Sequence, residues 1–181
     1  IFTRNILTNF RDYPIEDEKR LNNIFIREHF YTCIFTIADF NSVDSFDKLY
    51  KFHAKHKYLF MSYNQSLMTN MGQIAANPNG NRFIEIKKKY FDCLLILLSK
   101  KARYTSNINT QTHIMGYFKK FLNSKEKQHF FDTLELYRQR KIPVSSVNSI
   151  LSSWIHRFEN QYLINQSFFY PYPKELIYKN I

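Results

Sequence analysis

Apolar residues recur along this chain at intervals of three and four, between short polar breaks. That spacing buries one face of a helix. The first run covers about Arg20 to Asp39, with Leu21, Ile24, Phe25, Phe30 and Ile34 near helical spacing. Asn41-Ser42 breaks it, and Asp44 or Ser45 is placed to cap a second helix over about 46–62. There Phe46, Leu49, Phe52, Leu59, Phe60 and Tyr63 form one stripe, while Lys48, Lys51, Lys55 and Tyr58 fall on the opposite side. A shorter helix over about 65–76 ends at Asn77-Pro78-Asn79-Gly80, the clearest turn signal in the chain. Asn81 can cap a long helix to about Lys101, seamed by Phe83, Ile86, Tyr90, Leu94 and Leu98. Further helices are expected from about Thr110 to Leu122, from Ser124 to about Arg140 with Pro143 as a stop, and over 145–158. Tyr170-Pro171-Tyr172-Pro173 reads as extended, because proline restricts itself and its predecessor, and a short helix can follow it.

The pattern predicts an all-α fold, a single compact domain of about seven or eight helices over residues 20–181. Residues 1–19 read as a connector or the tail of an upstream domain, with Pro14 and the acidic run Glu16-Asp17-Glu18. With 44% hydrophobic residues, 18 Phe and 13 Tyr, the chain has ample material for a core. Its three glycines are too few for a turn-rich β architecture or a glycine-cradled nucleotide site. Cys33 and Cys93 stand far apart in apolar stretches, which excludes a zinc framework or disulfide scaffold and predicts two buried thiols. No apolar run approaches the ~20 residues that span a membrane. The opening Ile1-Phe2-Thr3-Arg4 has no signal-peptide layout. A cytoplasmic location, in a piece of a longer protein, is the expectation.

Charge changes the picture. The formal net charge is +11, yet residues 1–40 hold 5 Lys/Arg against 6 Asp/Glu and the remainder 21 against 9. A body of net +12 offers a polyanion the counterion release and steering on which nucleic-acid binding depends. Solubility alone would also use such a surface.

Three groups of residues could carry chemistry. His53-x-x-His56-Lys57 puts two imidazoles on one side of a helix, but a metal needs a third ligand and no carboxylate motif supplies one. His56 falls within the apolar stripe, so a partly buried, hydrogen-bonded histidine is the better reading. In the helix over 110–122, Ile114, Phe118, Phe121 and Leu122 make the apolar side. His113, Tyr117 and Lys120 recur roughly opposite, flanked by Lys119, a row suited to phosphate contacts and base stacking or to an ordinary wet face. Gly116 in mid-helix costs about 1 kcal/mol against alanine and suggests close approach of another backbone or a ligand. Basic clusters at Lys87-Lys88-Lys89, Lys100-Lys101 with Arg103, and Arg138 with Arg140-Lys141 could extend such a surface. No nucleophile–base pair, paired carboxylates or phosphate loop is present, so no cofactor or metal is expected.

Several segments together resemble the bacterial YbgA-like domain of unknown function. They are Phe52 through Leu59, Asn109 through Lys120, Tyr137-Arg138-Gln139, Ile142-Pro143, Tyr162-Leu163-x-x-Gln166, and Pro171 through Leu176. Phe2 through Phe10 and Pro14 through Leu21 look like the seam at which this domain follows a desulfidase domain in two-domain members. There the upstream domain carries an iron–sulfur cluster on cysteines and removes sulfur from 4-thiouridine in tRNA, and the YbgA-like part is thought to help hold the tRNA. This chain has none of those cysteines, so only the binding role transfers. The sequence departs from the family pattern at Arg140, where glycine is usual, over Val144-Ser145-Ser146-Val147, and at Ser152 and Ser153.

The resemblance and the charge imply a noncatalytic tRNA-binding domain whose partner is an upstream desulfidase. Lys57, His113, Tyr117, Lys119, Lys120 and Arg138 are the expected contacts to phosphate or base, with His53 and His56 shaping the pocket behind them. The rival is a protein-interaction module docking an acidic partner or its upstream domain. A small enzyme using His53, His56 and His113 is the third alternative.

Overall fold

The structure, a computed structural model, describes residues 14–76 and 80–178. Most of the expected connector, and the turn at Asn77-Pro78-Asn79, lie outside the described residues. Among those described, every regular element is a helix. In chain order they are α1 (Glu18–Leu21), α2 (Ile24–Asn41), α3 (Phe46–Tyr63), α4 (Gln65–Ala76) and α5 (Phe83–Leu98). They continue with α6 (Tyr104–Gly116), α7 (Ser124–Arg138), α8 (Val144–Arg157), α9 (Gln161–Ile164) and α10 (Glu175–Tyr178). None is long and apolar enough to cross a membrane among the described residues.

Local chemistry accounts for several boundaries. The run expected from Arg20 to Asp39 is split, because the Asn23 side chain accepts from the N–H groups of Phe25 and Ile26 and starts α2 afresh. The buried face of α2 is Cys33, Ile37 and Phe40 with Thr32 and Thr36, not the expected stripe, and Phe25 is 70% exposed. That helix is apolar nearly all round, so periodicity alone selects no face. α5 begins after Arg82 rather than Asn81. Asn123 caps α7 in a reciprocal box, accepting from Glu126 N–H while the Glu126 carboxylate accepts from Asn123 N–H. α9 was not expected from the sequence.

The chain divides into two compact units. Among the described residues, the first comprises 14–53, 71–76, 80–101 and 170–178. Its core is aromatic: Phe40 stacks on Tyr90 at 5.6 Å and on Phe91 at 5.2 Å, and meets the Phe52 ring edge-on at 5.2 Å. Such pairs each contribute about 0.5–1.5 kcal/mol beyond the area they bury. The Lys87 ammonium lies 5.6 Å from the Phe40 centroid and donates to the Val43 carbonyl, so the first lysine of the 87–89 cluster is tied into this core. Cys33 is buried against His29 and the Leu98 carbonyl, and burial pushes its thiol pKa up to about 12. Cys93, expected to be buried, is only half-buried because it sits at the margin of the α5 seam. Tyr172 packs edge-on against Tyr31 at 5.6 Å.

The second unit comprises residues 54–70 and 102–169. α6, α7 and α8 pack together around Ile114, Phe118, Phe130, Leu151 and Trp154, and the α6 amide of Gln111 reaches Asn148 on α8 at 2.8 Å. α7 and α8 both end in a six-residue closure. Lys141 N–H donates to Leu136 C=O and Arg140 N–H to Tyr137 C=O; Asn160 and Glu159 repeat this onto Ile155 and His156. The motif needs a left-handed residue after the cap, and Arg140 (φ 60°) and Glu159 (φ 50°) supply it where glycine is the favoured choice. The Arg140 guanidinium, 5.0 Å from the Tyr104 ring, offsets part of that strain.

Candidate functional site

The second unit carries 11 Lys/Arg against 4 Asp/Glu, a net of +7, compared with 12 against 10 among the described residues of the first. On this basic unit three tyrosines from separate elements converge: Tyr58 from α3, Tyr117 just past α6, and Tyr162 from α9. Tyr58 meets Tyr117 and Tyr162 edge-on, each at 6.3 Å, while the Tyr117 and Tyr162 rings lie 6.2 Å apart and only 29° from parallel. Tyr58 is 3% exposed, whereas Tyr117 and Tyr162 are 42% and 39% exposed. The Tyr58 hydroxyl donates to the Tyr117 hydroxyl at 2.9 Å. Tyr117 accepts this bond and retains its own O–H for a further acceptor. Lys57 adds a cation 5.9 Å from the Tyr58 ring.

Tyr58 was expected on the wet side of its helix, in the company of lysines. Rings from two later segments cover it instead, and a wheel drawn on one helix cannot show them. Tyr162 is not among the contacts expected from the sequence; its partners lie 104 and 45 positions away along the chain. The Tyr162-Leu163-x-x-Gln166 pattern was the one available signal.

The backbone beneath the cluster is held from the same direction. Gln166 donates its amide N–H to Ala54 C=O at 2.8 Å, and its carbonyl oxygen accepts from Tyr58 N–H at 3.4 Å. It brackets the two groups that face each other across one turn of α3. Ser167 N–H donates to Lys55 C=O at 3.1 Å, and the Ser167 hydroxyl shares a 2.8 Å hydrogen bond with His56 Nδ1. His56, 2% exposed and stacked on Phe60 at 5.4 Å, is the buried, hydrogen-bonded histidine its position implies. Burial is the main cause raising the Tyr58 pKa, and the Tyr117 bond adds to it; burial, then the nearness of Tyr117, raises Tyr162. Both phenols are therefore neutral at physiological pH and do not repel an anion.

His113 lies exposed in the last turn of α6. Lys119 and Lys120 are exposed, but α6 ends at Gly116 and the backbone tightens into turns such as Phe118 N–H to Met115 C=O. The row of His113, Tyr117 and Lys120 does not continue at helical spacing, and Phe121 turns out of the core to 63% exposure. Gly116 faces open space: a Cβ built there meets nothing within 4 Å, which corrects the expected close approach. The close approach is at Gly72, where a Cβ would stand 3.0 Å from His53 Nε2. His53 itself bonds the Tyr90 hydroxyl at 2.8 Å. Arg138 is engaged by Glu135 through two hydrogen bonds of 2.7 and 3.0 Å, so its charge is already answered. No group of three or more His, Cys, Asp or Glu able to hold a metal occurs among the described residues.

Residues 57–173 match a family described as "Protein of unknown function (DUF1722)". The "Uncharacterized protein YbgA" of Escherichia coli (strain K12) is 21% identical over 127 residues, covering 70% of this chain and 75% of that protein. No solved structure matches.

Proposed function

The chain belongs to the DUF1722 family of proteins of unknown function, and we propose that it is a noncatalytic RNA-binding domain. Its ligand is tRNA, and it serves a tRNA 4-thiouridine desulfidase domain in the cytoplasm. The observation that carries this reading is the charge of the second unit, net +7, beside exposed His113, Lys119 and Lys120. Lysines at that density neutralise phosphates and release counterions, so affinity falls with salt. The resemblance over the 14–21 seam supports the desulfidase connection.

A salt-titrated binding assay with bulk tRNA, competed by duplex DNA, tests it. Preference for tRNA with a steep negative salt slope is expected, and Lys119→Ala with Lys120→Ala should flatten that slope by roughly one per lysine. Equal binding of both polymers would reduce the effect to nonspecific charge, and no binding at moderate salt would sink the reading. Supplied in trans to a desulfidase domain, the chain should lower its KM for thiolated tRNA.

Exposed apolar side chains in the first unit favour a second reading, docking to a protein. Phe25, Ile84 and Ile96 are 70%, 74% and 59% exposed. Light scattering coupled to size exclusion distinguishes the two, since a stable oligomer or complex that covers these residues is expected only for docking.

A further inference from the structure

We propose that Tyr117 and Tyr162, with Lys57, form a seat for a single unpaired nucleotide. The ligand class is therefore single-stranded or looped RNA rather than duplex. The inference rests on the RNA-binding reading and names what its site selects.

Two large rings each stand about two-fifths exposed and 29° from parallel on a basic surface. Exposed tyrosine rings attract flat π systems, trimethylated ammonium groups or proline. Charge decides between the first two: Lys57 sits beside the cluster and the unit carries net +7, both of which oppose a cation. A nucleotide answers every group present. Its base meets a ring, its acceptor atoms meet the remaining O–H of Tyr117, and its phosphate meets the Lys57 ammonium. Paired bases cannot do this, because their faces are stacked on neighbours.

The cluster is also fixed before any ligand arrives. Tyr58 stands under both exposed rings and holds the Tyr117 hydroxyl, and Gln166 pins the Tyr58 backbone. Rings fixed in this way lose little freedom on binding, which is how stacking becomes affinity.

The test compares the full chain bound to an oligouridine of about eight nucleotides and to a blunt RNA duplex of equal charge. Single-strand binding at least tenfold tighter is expected. Tyr162→Ala and Tyr117→Ala should each weaken it roughly tenfold or more, leaving the salt slope unchanged, while Lys57→Ala should flatten the slope. Tyr162→Phe should retain affinity, and Tyr117→Phe should lose part of it with the donor. A readout without mutation guards against misfolding: an oligonucleotide carrying 5-iodouridine should photo-cross-link to Tyr117 or Tyr162. RNA binding with equal affinity for duplex, or cross-links only elsewhere, overturns the seat and leaves the RNA-binding reading intact. Absence of any RNA binding overturns both. Capture of a proline-rich peptide at these tyrosines in place of the oligonucleotide overturns the seat in favour of a protein ligand.

Discussion

Two buried tyrosines, one in each unit, end differently. Tyr90 lies wholly inside the first unit, stacked against Phe40, and its hydroxyl is spent on His53. Tyr58 is almost as buried in the second unit, but its hydroxyl passes to Tyr117, whose ring reaches solvent. The first arrangement closes a core. The second carries fixed geometry outward to a place where another molecule can meet it. An aromatic excess read as core material thus covers two different uses, and what separates them is where the chain of hydrogen bonds stops.

That contrast can be tested most severely by removing a ring from each side. Phe40→Ala should lower unfolding free energy by about 3–5 kcal/mol. Tyr162→Ala, taken from a half-exposed ring, should cost about 1 kcal/mol or less and act instead on ligand affinity. Denaturant titrations of both variants check this, and comparable losses would mean that the tyrosine cluster is simply more core. Next in size is Gln166→Leu, which removes the second hydrogen bond on each of Ala54 C=O and Tyr58 N–H while their helical bond remains, and should cost about 0.5–1.5 kcal/mol. Because it also loosens Tyr58, RNA affinity should fall with it; stability lost without any change in affinity would separate the support from the site.

Smaller effects sharpen the contrast at the edges. Glu159→Gly relieves a left-handed residue and should stabilise the chain by up to about 1 kcal/mol. Arg140→Gly should gain less, since it also surrenders the Tyr104 contact. Thermal melts rank the two. Last, His29 in the first unit has its pKa lowered from the ordinary 6.5, chiefly by burial and then by Lys101. Its unfolded form therefore binds protons more readily, so its contribution is complete above about 6.5 and is lost as pH falls through the lower folded value. Unfolding free energy should decline from pH 7 toward pH 5, and His29→Gln should shallow that decline.

How far the sequence foretold this depended on the range of the interaction. α3 and α4 were legible because an apolar stripe and a Ser45 cap act within one or two turns. α6 was placed too late, since Arg103 makes no side-chain cap bond and Thr105, Ser106 and Asn107 dilute the first turn. Its end was placed too far on, because Phe118 and Leu122 stay buried through turns that imitate helical spacing. Lys57, His113 and Tyr117 were singled out from local chemistry. The covered position of Tyr58 and the role of Tyr162 were not legible, because they exist only once α9 folds back against α3. The arginine at position 140 was visible as a departure from the family pattern, and the structure supplies its meaning as a left-handed residue.

The hydrogen bonds from Gln166 to α3 also set a schedule. They join groups up to 112 residues apart in the chain. At roughly 5–20 residues per second of synthesis, α3 leaves the ribosome on the order of ten seconds before the amide that will bracket it. During that interval Ala54 C=O and Tyr58 N–H have only each other and water. The tyrosine cluster is consequently among the last features a newborn chain completes, and truncation just before residue 166 removes the amide that brackets α3 beneath it.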